Sequence, residues 1–312
     1  MPTPNKSFYA FMSRIIDYAG LYPPANLSLD EAFQNFVRSQ REPEAWMLSR
    51  FVIPAKRLPD LSPLIPSQGN FYFTVMGRGR KDSAEFSQNI KTDLQDVQRF
   101  SSTHGAQVRV DMLEVNLPFE VFGDQYSLNA LVKQTADLFN INGLTVFFEA
   151  SLGEDWHARA DSLFYALRKV KDKHVGFKLR TGGVTADAFL PTEQLAWAIV
   201  EARDSGVPLK CTAGLHHPIR HFNQSVQTKM NGFLNVFGAA ALAAVNGVST
   251  DLVQFILEDE DPSSFQFTDE EFIWKGLRAG VEDIERVRHQ VTSFGSCSFD
   301  EPRDDLRTLN FL

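Results

Sequence analysis

Cysteine is scarce: the 312 residues contain only Cys211 and Cys297. Two thiols make no disulfide framework and cannot by themselves complete a cysteine-based zinc site, so a reducing compartment, the cytoplasm, is the expectation. Long apolar runs are also missing. No stretch approaches the ~18 apolar residues of a membrane span, and Met1–Ala10 carries one lysine but no apolar run of signal-peptide length. Membrane association is therefore not expected. Positive charge is in deficit, with 31 Lys and Arg against 39 Asp and Glu and a net charge of -8. No basic stripe marks any predicted helix, which argues against nucleic-acid binding through phosphates. Finally, there is no P-loop, no dinucleotide glycine fingerprint and no repeat at solenoid spacing, so no cofactor is expected.

What is present is ordinary globular composition, 43% hydrophobic and 22% charged, with 27 Phe available to fill a core. Short β-rich apolar runs alternate with longer amphipathic segments, the pattern of βα units around a parallel sheet. Eight such runs can be drawn: 14–18, 46–53, 71–76, 108–115, 144–149, 175–180, 208–212 and 233–237. Their starts lie roughly 25 to 37 residues apart, the span of a strand, a loop and a returning helix. Between them, Leu128, Leu131, Val132, Leu138 and Phe139 fall on one helical face, as do Ala160, Leu163, Phe164, Leu167 and Val170. The fold class this implies is α/β, a (β/α)8 TIM barrel. Thr268-Asp-Glu-Glu reads as a capping box opening a helix, and residues 281–291 as another. The expected organisation is one barrel domain over 1–292 with added C-terminal helices, and an irregular tail over 293–312 that folds as a lid across the barrel mouth. The unit between residues 55 and 69 is the least regular.

Side chains alternate along a strand, so a polar residue near the C-terminal end of a barrel strand points into the lumen at the face where barrel enzymes carry chemistry. In Gly176-Phe-Lys-Leu-Arg-Thr-Gly-Gly183, Lys178 and Arg180 share one face. In Pro208-Leu-Lys-Cys-Thr-Ala-Gly214, Lys210 and Thr212 do. Two ammonium groups on adjacent strands disfavour each other's charged form, which leaves one amine neutral near pH 7 and able to form a Schiff base with a carbonyl compound. The alternative is that each lysine only pairs with a buried carboxylate.

Several segments resemble, in order, the motifs of the class I, Schiff-base aldolases of the deoxyribose-phosphate aldolase type. Ile16-Asp-Tyr-Ala-Gly-Leu-Tyr-Pro23 is similar to their first-strand motif, Val110-Asp-Met-Leu-Glu114 to a strand bearing an acidic residue, and Val146-Phe-Phe-Glu-Ala150 to the strand that follows. Phe177-Lys-Leu-Arg-Thr-Gly182 is similar to the strand of the Schiff-base lysine, and Leu209-Lys-Cys-Thr-Ala-Gly214 to that of the second lysine. Phe237-Gly-Ala-Ala-Ala241 is similar to the phosphate-binding turn at strand eight. The resemblance implies Lys178 as nucleophile, Lys210 as its electrostatic partner, Asp111 as proton-transfer acid and Asp17 in support. It also implies an aldolase-like carbon–carbon lyase. Ala240 and Ala241 stand where the family has serines, which argues against a strongly phosphate-dependent substrate. A small aldehyde, ketone or keto acid is the expected partner.

Further substrate contacts are expected from Arg180, able to grip a carboxylate, and from Thr181 and Thr212. Backbone N–H groups of Gly182, Gly183 and Gly214 could hold an oxyanion. Asn235 and Gly238 fall at the expected eighth strand. Glu149 closes the fifth strand and is a catalytic candidate. His216 and His217 lie beyond strand seven, just before a helix expected at Pro218. They suit proton transfer or, with Glu149 and Asp111, a divalent metal. Cys297 reads as tail packing. The competing readings are a metal-dependent barrel hydrolase or isomerase and a barrel that only binds a small ligand. The sequence leaves oligomeric state open, self-association included.

Overall fold

A computed structural model of the protein describes residues 4–312, so Met1–Thr3 of the N-terminal segment lie outside it. Eight parallel strands close into a barrel: β1 (Ile16–Tyr18), β2 (Leu48–Pro54), β3 (Phe71–Met76), β4 (Val108–Asn116), β5 (Thr145–Glu149), β6 (Val175–Arg180), β7 (Leu209–Thr212) and β8 (Val291–Ser296). Their order around the barrel is β1-β8-β7-β6-β5-β4-β3-β2. The expected (β/α)8 architecture is therefore present, with helices outside and a core of Phe, Leu, Val and Ile between the two layers. Within the helix Gln125–Asn140, Leu128, Leu131, Val132 and Phe139 are buried, as are Ala160, Leu163, Phe164 and Leu167 of the helix Trp156–Arg168. Pro191 caps the helix Thr192–Ser205, and Gly206, at φ 66°, ends it in a left-handed turn that glycine adopts without steric cost. Residues 55–64 form only short helical turns, as the prolines there dictate.

The eighth strand is not where the apolar run at Phe233–Phe237 placed it. That run opens a helix, Phe233–Asn246, in which every residue from Phe233 to Ala243 is buried. A helix buried all round carries no apolar stripe, and a short apolar run of this kind does not distinguish strand from helix. The closing strand is instead Val291-Thr-Ser-Phe-Gly-Ser296, within the segment read as an irregular tail. Its composition hides it, because the residues it turns inward are small and polar. It pairs with β1 through Ile16 and Phe294 and with β7 through Phe294 and Cys211. The helix Asp300–Thr308 follows, so 293–312 is ordered barrel structure rather than an irregular lid.

The helix expected at Thr268 is also absent. Thr268 Oγ1 does accept from the N–H groups of Glu270 and Glu271, the latter being the bond a capping box makes. The chain then alternates, burying Phe272 and Trp274, and forms a three-stranded antiparallel sheet of Phe265–Phe267, Glu271–Trp274 and Leu277–Gly280. A helix over Val281–Arg288 follows, close to the span expected.

Phe294 is fully buried and joins β8 to the helix layer, stacked on Phe233 at 5.2 Å and tilted against Phe237 at 5.7 Å between ring centroids. Phe294→Ala should therefore destabilise the protein by ~3–5 kcal/mol. Chemical denaturation checks this; a midpoint within error of wild type would show that β8 does not anchor the barrel.

Candidate active site

The strand registers decide which polar groups meet. Lys178 of β6 aligns with Lys210 of β7 and with Glu149 of β5. Both lysines are almost completely buried, at 2% and 1% exposure, so each must find a carboxylate. Lys178 Nζ lies 2.8 Å from Glu114 Oε2 and 3.0 Å from Glu149 Oε2. Lys210 pairs directly with Asp17, donates to Ser293 Oγ at 2.8 Å, and stands 3.5 Å from the other oxygen of Glu114. Glu114 thus bridges the two lysines. Asp17, fully buried on β1, also accepts from Ser293 Oγ at 3.0 Å, Thr74 Oγ1 at 3.3 Å and the Arg50 backbone N–H at 3.2 Å.

These pairings overturn the expectation of a neutral amine. Burial works to lower the Lys178 pKa, but the charges of Glu114 and Glu149 outweigh it and hold the ammonium above the ordinary lysine range. The reverse holds for the carboxylates. Burial pushes Asp17 upward, yet Lys210 and Arg50 bring it below its usual value, and Lys178 and Arg180 do the same for Glu149. The lysines are separated by carboxylates, and this is why their mutual repulsion does not govern.

Above this layer opens a cavity of about 230 Å³ at the C-terminal end of the strands. Glu114, Lys178, Arg180, Thr212, Gly183, Gly214 and His216 line it, along with Tyr22, Pro23 and Cys297. Arg180 donates from Nε to Glu149 Oε1 at 2.8 Å and is about one-third exposed. The Tyr22 hydroxyl is buried, and among the described residues it has no hydrogen-bond partner. Gly214 adopts φ 74° at the turn after β7, where an added Cβ would sit 2.9 Å from the Gly182 Cα.

Other sequence candidates fall elsewhere. Asp111 sits low on β4 in a bidentate pair with Arg50, at 2.7 and 3.0 Å, and contacts neither lysine. Thr181 is buried and donates to the carbonyls of Thr212 and Ala213, holding the β6 and β7 turns together. Gly182 is packed against Phe189, where an added Cβ would sit 2.4 Å from the ring. Asn235 lies in the helix Phe233–Asn246, donating to the carbonyls of Ile256 and Asp259 at 2.8 Å and accepting from Arg220 N. Gly238 in that helix lets Phe272 approach. Asn235 and Gly238 therefore serve packing, and the phosphate-binding turn expected at residues 237–241 is helix interior.

The histidines separate. His216 faces the cavity, with Nδ1 3.8 Å from Cys297 Sγ and 3.4 Å from Glu301 Oε2. His217 turns away and pairs with Asp305 at 2.6 Å. No helix begins at Pro218; a hairpin of His221–Asn223 and Thr228–Met230 follows instead. With Glu149 committed to Lys178 and Arg180 and Asp111 to Arg50, the four-ligand metal arrangement does not assemble. No group of three or more potential ligands occurs among the described residues.

The residues missed were Glu114, Ser293, Thr74, Arg50, Tyr22 and Cys297 as a cavity wall. A signal for Glu114 existed. It lies three residues nearer than Asp111 to the C-terminal end of β4, the end at which barrel enzymes carry their chemistry. Cys211, by contrast, is inert: burial pushes its thiol up to about 12.

The fold and this ionised lumen define a (β/α)8 barrel with a buried lysine pair beneath an open cavity. Neither a protein-family model nor a curated protein matches the chain. Among solved structures it is similar to the tetrameric deoxyribose phosphate aldolase from Aeropyrum pernix, at 14% identity and a TM-score of 0.45, covering 70% of this chain and 88% of that one. It is likewise similar to the IolI protein with a bound zinc atom, at 11% identity and a TM-score of 0.46, covering 75% of this chain and 85% of that one. No helix among the described residues is long and apolar enough to cross a membrane.

His216 supplies a stability test. Burial alone would lower its pKa, but Cys297 and Glu301 raise it to about 9, above the ordinary 6.5. Because the folded value lies above the unfolded one, the stabilisation is complete below pH 6.5 and disappears as pH rises through 9. His216→Gln should flatten the fall in Tm between those values; an unchanged alkaline slope would place the titration elsewhere.

Proposed function

We propose that this protein is an aldolase-like Schiff-base enzyme in which Lys178 condenses with a small carbonyl substrate. One observation carries the reading. Lys178 lines a cavity at the C-terminal face of the barrel, where barrel enzymes carry their chemistry, and its nitrogen lies within hydrogen-bonding distance of the Glu114 and Glu149 carboxylates. Structural pairing alone would not require an opening above the nitrogen. Lys210 lies in register beside it, held in place by Asp17 and Ser293. An imine formed on Lys178 would draw electrons from the adjacent carbon, the requirement for making or breaking a carbon–carbon bond.

The surroundings favour a small substrate without phosphate. The cavity is smaller than the ~300–1,000 Å³ of drug-sized ligand sites. Barrels often seat phosphate near the ends of strands seven and eight, at a helix N-terminus. Here the first turn of the helix after β8 carries Asp300 and Glu301, whose negative charges disfavour a phosphate at that end. Arg180, Gly183, Thr212 and Gly214 remain to orient the carbonyl compound.

Borohydride reduction in the presence of a panel of small aldehydes, ketones and keto acids should leave a stable adduct on Lys178, located by peptide mass mapping. Labelling should speed up as pH rises, because the resting nitrogen is an ammonium. Lys178→Met should abolish it, but removes the buried cation that Glu114 and Glu149 share, at a cost of ~3–5 kcal/mol. Lys178→Arg keeps their positive partner and should equally abolish the adduct. Absence of any Lys178 adduct in wild type across the panel overturns the proposal.

A further inference from the structure

We propose that Glu114 is the acid–base residue of this site, passing the proton between Lys178 and the substrate oxygen; the inference rests on the Schiff-base reading above. Three carboxylates surround the lysine pair, and their partners distinguish them. Asp17 is fully buried and accepts from Lys210, Ser293, Thr74 and the Arg50 backbone. Glu149 touches Lys178 with one oxygen and accepts from Arg180 with the other, and it does not line the cavity. Glu114 alone both touches Lys178, at 2.8 Å, and faces the cavity. Its second oxygen stands 3.5 Å from Lys210, beyond a good hydrogen bond, and so keeps capacity for a proton. Asp111, implied for this role by sequence resemblance, is held by Arg50 instead.

The steps balance without an added reactant. The Lys178 ammonium gives one proton to Glu114, and the free amine adds to the carbonyl carbon. As the C–N bond forms, one of the two protons left on nitrogen moves to the carbonyl oxygen, giving the carbinolamine. Glu114 then returns its proton to that hydroxyl, which leaves as water while the C=N bond forms. The site ends with a protonated imine, an ionised Glu114 and one water. Such proton transfer typically contributes ~10²–10⁴-fold.

The sign of one substitution separates this role from simple charge pairing. If Glu114 only neutralises Lys178, then Glu114→Gln lowers the amine's pKa, frees the nucleophile and speeds labelling at neutral pH. If Glu114 moves the proton, the same change slows it. The experiment follows Lys178 labelling by acetaldehyde, hydroxyacetone and pyruvate with excess cyanoborohydride at pH 7. The expected result is at least a ~100-fold slower rate in Glu114→Gln. Glu149→Gln, which removes the same charge from the other side of Lys178, should label faster than wild type. Labelling of Glu114→Gln at or above the wild-type rate overturns the Glu114 assignment and leaves the Lys178 reading standing. No labelling of wild type overturns both. Should Glu114→Gln fail to fold, Glu114→Asp retains the charge and withdraws the carboxylate by one methylene. A rate at least tenfold below wild type supports the assignment, and an equal rate overturns it.

Discussion

Removing an ammonium group from water costs several kcal/mol unless carboxylates and hydrogen bonds replace the lost solvation, and the lumen of this barrel contains two. Much of the interior follows from that requirement. Lys178 draws on β4 and β5 for Glu114 and Glu149, while Lys210 draws on β1 and β8 for Asp17 and Ser293. Strands β1 and β8 are neighbours only in the closed barrel, so closure and completion of the lysine pair's surroundings are one event. Arg50 and Asp111 extend the network below, where Arg50 also approaches Asp17. Substitution in this layer leaves a buried charge without its counterpart and should be felt in stability as well as in chemistry.

Placing the lysine in this environment has a chemical consequence. The carboxylates that make its burial tolerable also keep it protonated, so the resting group is a poor nucleophile. Activation depends on a local base rather than on a permanently depressed amine. An acid–base residue touching both the nitrogen and the cavity fills that need, which links the ion pairs of the interior to the proposed reaction.

Much of this was legible in the sequence. Strand alternation placed Lys178 and Lys210 on the lumen side, and the registers bring them together. The helix faces follow from periodicity, and seven of the eight strands from the alternation of apolar runs, the eighth run being a helix. What could not be read was long-range. β8 carries Ser293, Gly295 and Ser296, residues with little β signal, and it was overshadowed by the stronger apolar run of Phe233–Phe237, which is a buried helix. Asp111 and Glu114 are separated by a register irregularity that no pattern in β4 reveals. The partners of His216 and His217 lie beyond β8, in Glu301 and Asp305, so misreading that strand also concealed what the histidines do.

The position of β8 also sets the order in which the molecule can be made. Residues 213–290, including three helices, a two-stranded hairpin and a three-stranded sheet, intervene between β7 and its neighbour β8. The contact of Ile16 with Phe294 joins residues far apart in the chain. Loop-closure entropy must be overcome before that contact contributes, a feature that slows folding. A chain with seven strands assembled would expose the free edges of β1 and β7 as templates for pairing with other molecules. This protein's susceptibility to aggregation should therefore concentrate in the interval before β8 docks, which makes the helix insertion that precedes it a kinetic element of the fold.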